Sequence, residues 1–191
     1  MRRSSSFLLP LSSVLLVLGA CSSAPPPAPP APPPPVAVST AQQAEANLAP
    51  ASASLVSGRL VLVPVVGGVR ISGVVGGLQP HRLAAFHVHE RGDCSAIDAA
   101  SAGDHFNPTA MPHGRAGSGA HHAGDMDNLV VDGEGVANVD VQLRGVTLGG
   151  GAANDIAGRA LVVHAQADDY RSQPAGNAGA RIACGVIRVT R

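Results

Sequence analysis

Histidines are concentrated in one stretch of this chain, between His87 and Asp125. Six of its eight histidines fall within this stretch, and a seventh, His164, follows in the run LVVHA. The neutral imidazole ring offers a nitrogen lone pair near neutral pH, which makes histidine the commonest metal ligand. The concentration of histidines therefore predicts a metal site, and we expect that site to hold two ions.

His87 and His89 begin the pattern as a His-Val-His run. Side chains two residues apart on a strand project from the same face, so both rings can reach one ion. Such a pair is more often just a polar face when it stands alone. The later histidines and Asp125 make a metal site the better interpretation, because a glycine-rich loop can fold several of them around an ion.

The candidate ligands number seven in all. They are His87, His89, His105, His113, His122, Asp125 and His164. Two four-coordinate ions need eight donor positions, so seven residues suffice if one of them bridges. An imidazole or a carboxylate can bridge, and the count does not choose between them. Imidazole-only coordination suits copper, whereas three imidazoles with a carboxylate suit zinc. A zinc hydrolase would instead need one open site and a general base.

Composition excludes one partner class and favours one fold class. The chain has 13 basic and 13 acidic residues and a formal net charge of zero, so no basic surface argues for nucleic acid. It contains 23 glycines and 16 prolines but only 2% aromatic residues, which is typical of a turn-rich β protein.

Short β-rich runs separated by glycine, proline or Asp-Gly predict an antiparallel sandwich or barrel with almost no helix. The runs are 54–65, 69–75, 82–90, 128–143, 160–165 and 181–190. Asp132-Gly133 predicts a hairpin within the fourth run. Residues 91–127, 145–159 and 166–180 lack strand character, and we expect the first of these long loops to be functional.

The N-terminal region divides into a targeting segment and a spacer. Residues 1–20 have two arginines followed by an apolar run too short to span a bilayer, which is typical of a signal peptide. The ending LGAC resembles a bacterial lipobox, and this resemblance implies that Cys21 is lipid-modified. An ordinary signal peptide is the alternative. Residues 21–53 are rich in proline and predict a flexible tether, with the folded domain spanning 54–191.

Two cysteines, Cys94 and Cys184, are left once Cys21 is assigned to lipidation. An even pair in an exported chain favours a disulfide. Free thiols or thiolate metal ligands are the alternative.

Five motifs resemble those of the copper,zinc superoxide dismutases of the bacterial exported type. They are FHVHE at 86–90, GDHFNP at 103–108, HAGD at 122–125, LVVHA at 161–165 and GNAGARIACGVI at 176–187. They occur in the family's order and cover roughly residues 54–190. The resemblance implies an all-β antiparallel Greek-key sandwich or barrel of about eight strands with long metal-binding and electrostatic loops. It also implies conversion of superoxide to oxygen and hydrogen peroxide.

The resemblance also assigns roles to individual residues. Copper would be held by His87, His89, His105 and His164. Zinc would be held by His105, His113, His122 and Asp125. His105 would bridge the two ions and take part in proton delivery. Asp168 would link His87 to His113, Arg181 would attract the superoxide anion, and Cys94 would pair with Cys184.

The location follows from the lipobox resemblance. It implies an exported lipoprotein anchored through Cys21 and facing the periplasm, and Ser22 favours the outer membrane over retention in the inner membrane. A homodimer is left open. A metal-carrying lipoprotein without turnover is the alternative function. The complete ligand set with Asp168 and Arg181 favours the enzyme.

Two positions near the predicted site depart from the family pattern. Ala85 stands where the family usually has glycine, and Asp104 adds a negative charge directly before His105. Arg171 is the one basic residue of loop 166–180, against Asp168 and Asp169. We therefore expect the attraction of superoxide to depend mostly on Arg181.

Overall fold

The structure, a computed structural model, describes residues 37–191. The predicted signal peptide, Cys21 and the proline-rich run of the tether lie outside the described residues. Within residues 37–191, no helix is long and apolar enough to cross a membrane.

The described part of the chain contains ten strands. They are β1 (Ala44–Pro50), β2 (Ser57–Val65), β3 (Gly68–Gly76), β4 (Leu83–Ala84), β5 (Phe86–His89), β6 (Leu129–Val130), β7 (Ala137–Arg144), β8 (Ala160–His164), β9 (Arg181–Val186) and β10 (Arg188–Val189). The helical content of this part is a single 3₁₀ turn at Ala100–Ala102. The prediction of an all-β protein with almost no helix is confirmed.

Eight of the strands form one antiparallel sheet. Its order is β5-β8-β9-β1-β2-β3-β7, with β10 paired to the start of β1, while β4 and β6 form a separate two-stranded sheet. Strands β1, β2 and β3 are successive neighbours, and β9 returns over a long connection to lie beside β1. This is a Greek-key arrangement, as predicted.

Alternation of apolar and polar residues sets the inner face of the sheet. Leu60 and Leu62 on β2 are fully buried, and so are Val69 and Ile71 on β3. Leu62 and Ile71 are register partners across the two strands, so they pack side by side. Successive side chains of a strand point to opposite faces, which places the residues between them on the outer face.

The domain begins earlier than we predicted. β1 lies within the predicted tether, and it pairs with β2, β9 and β10. Its alternating residues Ala44, Ala46 and Leu48 are buried. The assignment of residues 21–53 to a tether is therefore wrong for its last part. The alternation was hard to recognise because alanine is only weakly hydrophobic.

The predicted Asp-Gly hairpin is also wrong, although the turn itself forms. The Asp132 carboxylate accepts the N–H groups of Glu134 and Val136 and reverses the chain. The two flanking strands do not pair with each other: β6 pairs with β4, and β7 pairs with β3. An Asp-Gly signal specifies a chain reversal but not the partners of the strands beyond it.

Candidate metal centre

β5 and the long loop that follows it place four candidate ligands side by side. Backbone bridges join His87 to Asp125 and His89 to His105. Between these bridges the Val88 N–H donates to the Gly124 carbonyl, and the Val88 carbonyl accepts the Phe106 N–H. The loop therefore runs along the free edge of β5 as an irregular extra strand. Its ligands are thus placed next to those on β5.

His164 reaches the same region from the end of β8. β5 and β8 are antiparallel partners, with His87 opposite Val162. A register shift on β8 falls between Val163 and His164, and beyond it His164 lies opposite Arg181 of β9. A bulge of this kind re-aims a side chain. It brings the His164 ring to the histidines of β5 and places Arg181 close by.

The seven candidate ligands form two groups that share one residue. In each group one possible ligand atom per residue lies within 4.8 Å of all the others. The strand group consists of His87, His89, His105 and His164, and the loop group consists of His105, His113, His122 and Asp125. All seven side chains are buried. His121 is outside both groups, and its Nδ1 lies 2.9 Å from the Gly119 carbonyl.

Several inner ring nitrogens of these groups are buried without a hydrogen-bond partner. In the described part of the chain, Nδ1 of His87 and Nε2 of His105 face no partner at all, and Nδ1 of His113 and Nδ1 of His122 make no aligned hydrogen bond although the Asp125 carboxylate lies 3.1 Å and 3.4 Å away. A buried polar atom without a partner costs on the order of 1–3 kcal/mol. Four such atoms that converge on two points fit metal coordination, in which each lone pair is used by a cation.

Two facing nitrogens in the strand group support the same conclusion. Nδ1 of His89 lies 2.9 Å from the Gly103 carbonyl, and Nδ1 of His164 lies 3.4 Å from the Gly179 carbonyl. A carbonyl only accepts, so these nitrogens carry the ring protons and both Nε2 atoms are bare. The bare Nε2 atoms lie 3.3 Å apart. Two lone pairs at that distance repel each other unless a cation lies between them.

Asp168 connects the two groups through their outer nitrogens. Its Oδ2 lies 3.0 Å from Nε2 of His87, and its Oδ1 lies 2.9 Å from Nε2 of His113. A carboxylate that accepts both ring protons fixes the tautomer and orientation of each ligand. The structure thus places Asp168 where the resemblance implied it would be.

Three histidines of the strand group are held in the neutral form that binds metals. Burial lowers the pKa of His87 to about 4, that of His89 to about 2 and that of His164 to about 3. Burial removes water from the ring and disfavours its charged form. At neutral pH these rings are free of the competing proton.

The loop group has a different electrostatic environment. Burial acts to lower the pKa of His113, but the nearby Asp125 and Asp168 carboxylates outweigh it and raise the pKa to about 9. Burial likewise opposes ionisation of the two carboxyls, yet their histidine partners hold the pKa of each well below its usual range. The loop group therefore combines anionic oxygen with imidazole nitrogen.

Arg181 lies at the opening of this region. With His89, His105 and His164 it lines an open cleft of about 600 Å³. Its Nη1 donates to the Ala99 carbonyl at 2.8 Å. The Cys94–Cys184 disulfide is present, with its Cα atoms 5.7 Å apart, within the usual range. It ties the loop that contains Ala99 to β9, the strand on which Arg181 lies.

Three supporting residues were missed from the sequence. The Asn128 amide accepts the Asp168 N–H and donates to the Asp168 carbonyl. The Gln173 amide accepts the N–H of His113 and donates to its carbonyl. A Cβ on Gly176 would lie 1.8 Å from the Asp168 carboxylate. No motif included Asn128 or Gln173, and Gly176 opens the motif at 176–187 without any sign of its contact with Asp168.

Fold and site together define a β-barrel metalloprotein with two adjoining metal groups. The family model for copper/zinc superoxide dismutase matches residues 56–187. Two curated relatives come from Aquifex aeolicus (strain VF5). Superoxide dismutase [Cu-Zn] 2 is 46% identical over 136 residues, 70% of this chain and 80% of that one. Superoxide dismutase [Cu-Zn] 1 is 44% identical over 134 residues, 69% of this chain and 79% of that one.

Solved structures agree with this match. A superoxide dismutase-like protein from Bacillus subtilis is similar with a TM-score of 0.67 and 34% identity, over 74% of this chain and 95% of that one. The clock protein EA4 is similar with a TM-score of 0.70 and 36% identity, over 81% of this chain and 98% of that one. The chain belongs to the copper/zinc superoxide dismutase family. It is an oxidoreductase whose cofactors are copper and zinc.

Proposed function

We propose that the strand group binds copper and the loop group binds zinc, and that the chain dismutes superoxide in the cleft beside them. The observation that carries this proposal is the convergence of all seven ligands into two groups that share His105. The strand group offers imidazole nitrogens alone, which suits copper. The loop group adds the Asp125 carboxylate to three imidazoles, which suits zinc.

When bound, copper supplies one-electron redox chemistry that oxidises one superoxide to oxygen and reduces a second to peroxide, whereas zinc supplies charge only. The second half of this cycle consumes two protons. Nε2 of His105 is a proton carrier for it, because this atom has no hydrogen-bond partner and its ring lines the cleft. Solvent in the open cleft supplies the other proton.

Arg181 acts on the substrate. Its guanidinium lines the cleft with His89 and His164, so it attracts a small anion toward the strand group. The hydrogen bond to the Ala99 carbonyl holds the side chain there. We therefore assign Arg181 to substrate attraction and positioning.

The test is superoxide consumption by the full chain loaded with copper and zinc, compared with His164→Ala. We expect rapid consumption that requires copper and that falls by about a hundredfold or more in the variant. His121→Ala is the matched control, because this histidine lies in neither group, and it should keep its activity. Tight binding of both metals without consumption of superoxide would reject the enzyme and leave a metal-carrying protein.

We further propose that the chain is an exported lipoprotein anchored through Cys21, facing the periplasm from the outer membrane. The support is the sequence alone: residues 1–20 have the pattern of a signal peptide, and LGAC resembles a lipobox. Mass spectrometry of the mature protein should find diacylglycerol and acyl groups on Cys21. Fractionation should find Cys21→Ala in the soluble periplasm. An unmodified Cys21 would reject the anchor.

We also propose that two copies associate as a homodimer. Leu83 and Val130 are register partners on the small sheet, and both are exposed. Adjacent exposed apolar side chains are a surface that a second copy can cover. Sedimentation of the full chain should give a dimer, and Val130→Asp should give a monomer with unchanged metal content. A monomer at all concentrations would reject this proposal.

A further inference from the structure

The cleft beside the strand group contains more acidic than basic charge. Three side chains that line it carry a formal charge, namely Glu90, Asp104 and Arg181. For an enzyme that attracts an anion this balance is unexpected, because a like charge at the entrance opposes the approach. The question is which of these charges an incoming anion experiences.

Asp104 presents an uncompensated charge. It directly precedes His105 in the chain, and it is exposed. Within residues 37–191, no cationic side chain forms an ion pair with its carboxylate. Its backbone carbonyl accepts the Glu90 N–H at 2.9 Å, which fixes this part of the loop against the end of β5. The exposed negative charge therefore lies at the cleft, next to His105 in the chain.

Glu90 contributes less, because cationic groups lie next to it. Its Oε1 lies 3.2 Å from a guanidinium nitrogen of Arg91. The Arg159 guanidinium donates to the Glu90 carbonyl at 2.6 Å and lies over the Phe106 ring. Neither arginine lines the cleft. They offset the charge of Glu90 from outside it.

The remaining charged groups of the neighbouring loops add no second positive charge to the cleft. Arg115 pairs with Asp127 at 3.0 Å. The Asp169 carboxylate accepts the backbone N–H groups of Arg171 and Ser172. Neither Asp169 nor Arg171 lines the cleft. Among the side chains that line the cleft, the uncompensated charges are therefore those of Arg181 and Asp104, to which bound copper and zinc would add positive charge.

We propose that Asp104 opposes the attraction that Arg181 and the bound metals exert on anions, so that its charge slows anion entry and weakens the dependence of that entry on ionic strength. This proposal deepens the proposed function and rests on it, because it concerns the anion used by the same cleft. The Asp104 carboxylate slows the entry of anions and does not bind a metal. Its removal should raise the rate at which the protein captures anions.

The size of the effect follows from Coulomb's law. A unit charge about 10 Å from a monovalent anion in water changes the local anion concentration by roughly twofold. Salt screens it: the Debye length falls from about 30 Å at 10 mM to roughly 7 Å at 200 mM. Asp104→Asn should therefore raise the rate about twofold at low salt and make it fall more steeply with salt than the native rate does.

The first test measures superoxide consumption at several ionic strengths by the full chain loaded with copper and zinc. Between 10 and 200 mM salt the native rate should fall less steeply than the rate of Asp104→Asn. The Asp104→Asn rate should start about twofold higher and fall with salt. Glu134→Gln is the matched control, because Glu134 is an exposed acid outside the cleft, and it should behave as the native chain does. Copper content, measured beside each rate, should be equal.

A second test needs no turnover. Azide is a monovalent anion whose binding to copper is followed by visible absorption, and Asp104→Asn should bind it about twofold more tightly at low salt. Rates of the native chain and of Asp104→Asn that fall equally with salt would overturn the inference. Equal azide affinities in Asp104→Asn and Glu134→Gln would overturn it as well. Absence of superoxide consumption with the azide shift present would instead reject only the proposed function.

Discussion

The two ligand groups are built on different parts of the fold. Apart from the shared His105, the strand group comes from β5 and β8, which are paired along their length. The ligands of the loop group all come from the stretch between His105 and Asp125. Regular hydrogen bonding positions the first group, whereas the second depends on side chains such as Asp168 and Gln173.

The two groups also differ in their charge. The strand group contains neutral histidines whose pKa values are lowered by burial. The loop group contains an anionic carboxyl and a histidine whose pKa is raised. We infer that the sheet preorganises the first group, while the second group needs a cation and its supporting side chains to hold its shape.

The largest expected effect comes from Gly176→Ala, which acts on Asp168. The added Cβ would lie 1.8 Å from Asp168 Oδ1 and 2.7 Å from His113 Nε2, so the carboxylate must leave His113. Zinc affinity, measured by competition with a chelator, should fall by about a hundredfold. The loss of affinity at the strand group should be smaller.

Gly117→Ala is the matched control for that substitution. Gly117 has φ +75°, close to the +68° of Gly176, but a Cβ there meets nothing within 4 Å. It bears the same backbone strain, of order 1 kcal/mol, without the collision. Equal loss of zinc in the two variants would show that strain rather than the displacement of Asp168 is the cause.

Asp168→Asn should weaken metal binding in both groups, because Asp168 contacts a ligand in each. An amide can accept only through its oxygen, so one of the two rings loses its acceptor and faces an N–H group instead. We expect the affinities for copper and zinc each to fall between about 10-fold and 100-fold. A loss confined to one metal, measured by chelator competition, would contradict the linking role.

The sequence predicted the ligands better than it predicted their support. His87 and His89 were recognisable because a strand places alternate residues on one face, and the concentration of histidines marked the remaining ligands. Asn128 and Gln173 were not, since they bind Asp168 and His113 across 40 and 60 residues of chain. The amide side chain has no distinctive spacing, and only the folded loops bring the partners together.

The same contrast applies to the fold. Runs of valine and leucine such as those of β2 and β3 were visible as strands, whereas β1 was assigned to the tether. Its buried residues Ala44 and Ala46 bury little surface, and the strand is held mainly by backbone pairing with β2 and β9. Backbone pairing leaves no mark on the side-chain pattern.

In the metal-free protein, the histidines of the two groups should affect the free energy of unfolding in different pH ranges. His87, His89 and His164 have pKa values of about 4, 2 and 3, below the 6.5 of an unperturbed histidine. The unfolded chain therefore takes up protons first, and stability falls as the pH drops below about 6.5. The lowered pKa values of Asp125 and Asp168 act in the same direction at still lower pH.

His113 has the opposite effect, because its pKa is raised to about 9. Its stabilising contribution is complete below about pH 6.5 and is lost as the pH rises through 9. Urea denaturation of the metal-free protein should thus give maximal free energy of unfolding near pH 6.5. His113→Asn should flatten the alkaline side alone. An alkaline side unchanged in this variant would show that the raised pKa of His113 is not its cause.

Gln173→Ala gives the smallest effect and the most selective one. The Gln173 amide makes two hydrogen bonds to the backbone of His113 and contacts no ligand of the strand group. Each bond contributes about 1 kcal/mol, so the loss of both should weaken zinc binding by roughly tenfold or somewhat more. Copper affinity should be unchanged, because the pairing of β5 with β8 holds His87 and His89 without this contact. Gln142→Ala, which removes a hydrogen bond to the Val66 carbonyl outside the site, should leave both affinities unchanged. If Gln173→Ala weakened copper as much as zinc, the two groups would share one support, and the sheet could not be what preorganises the strand group.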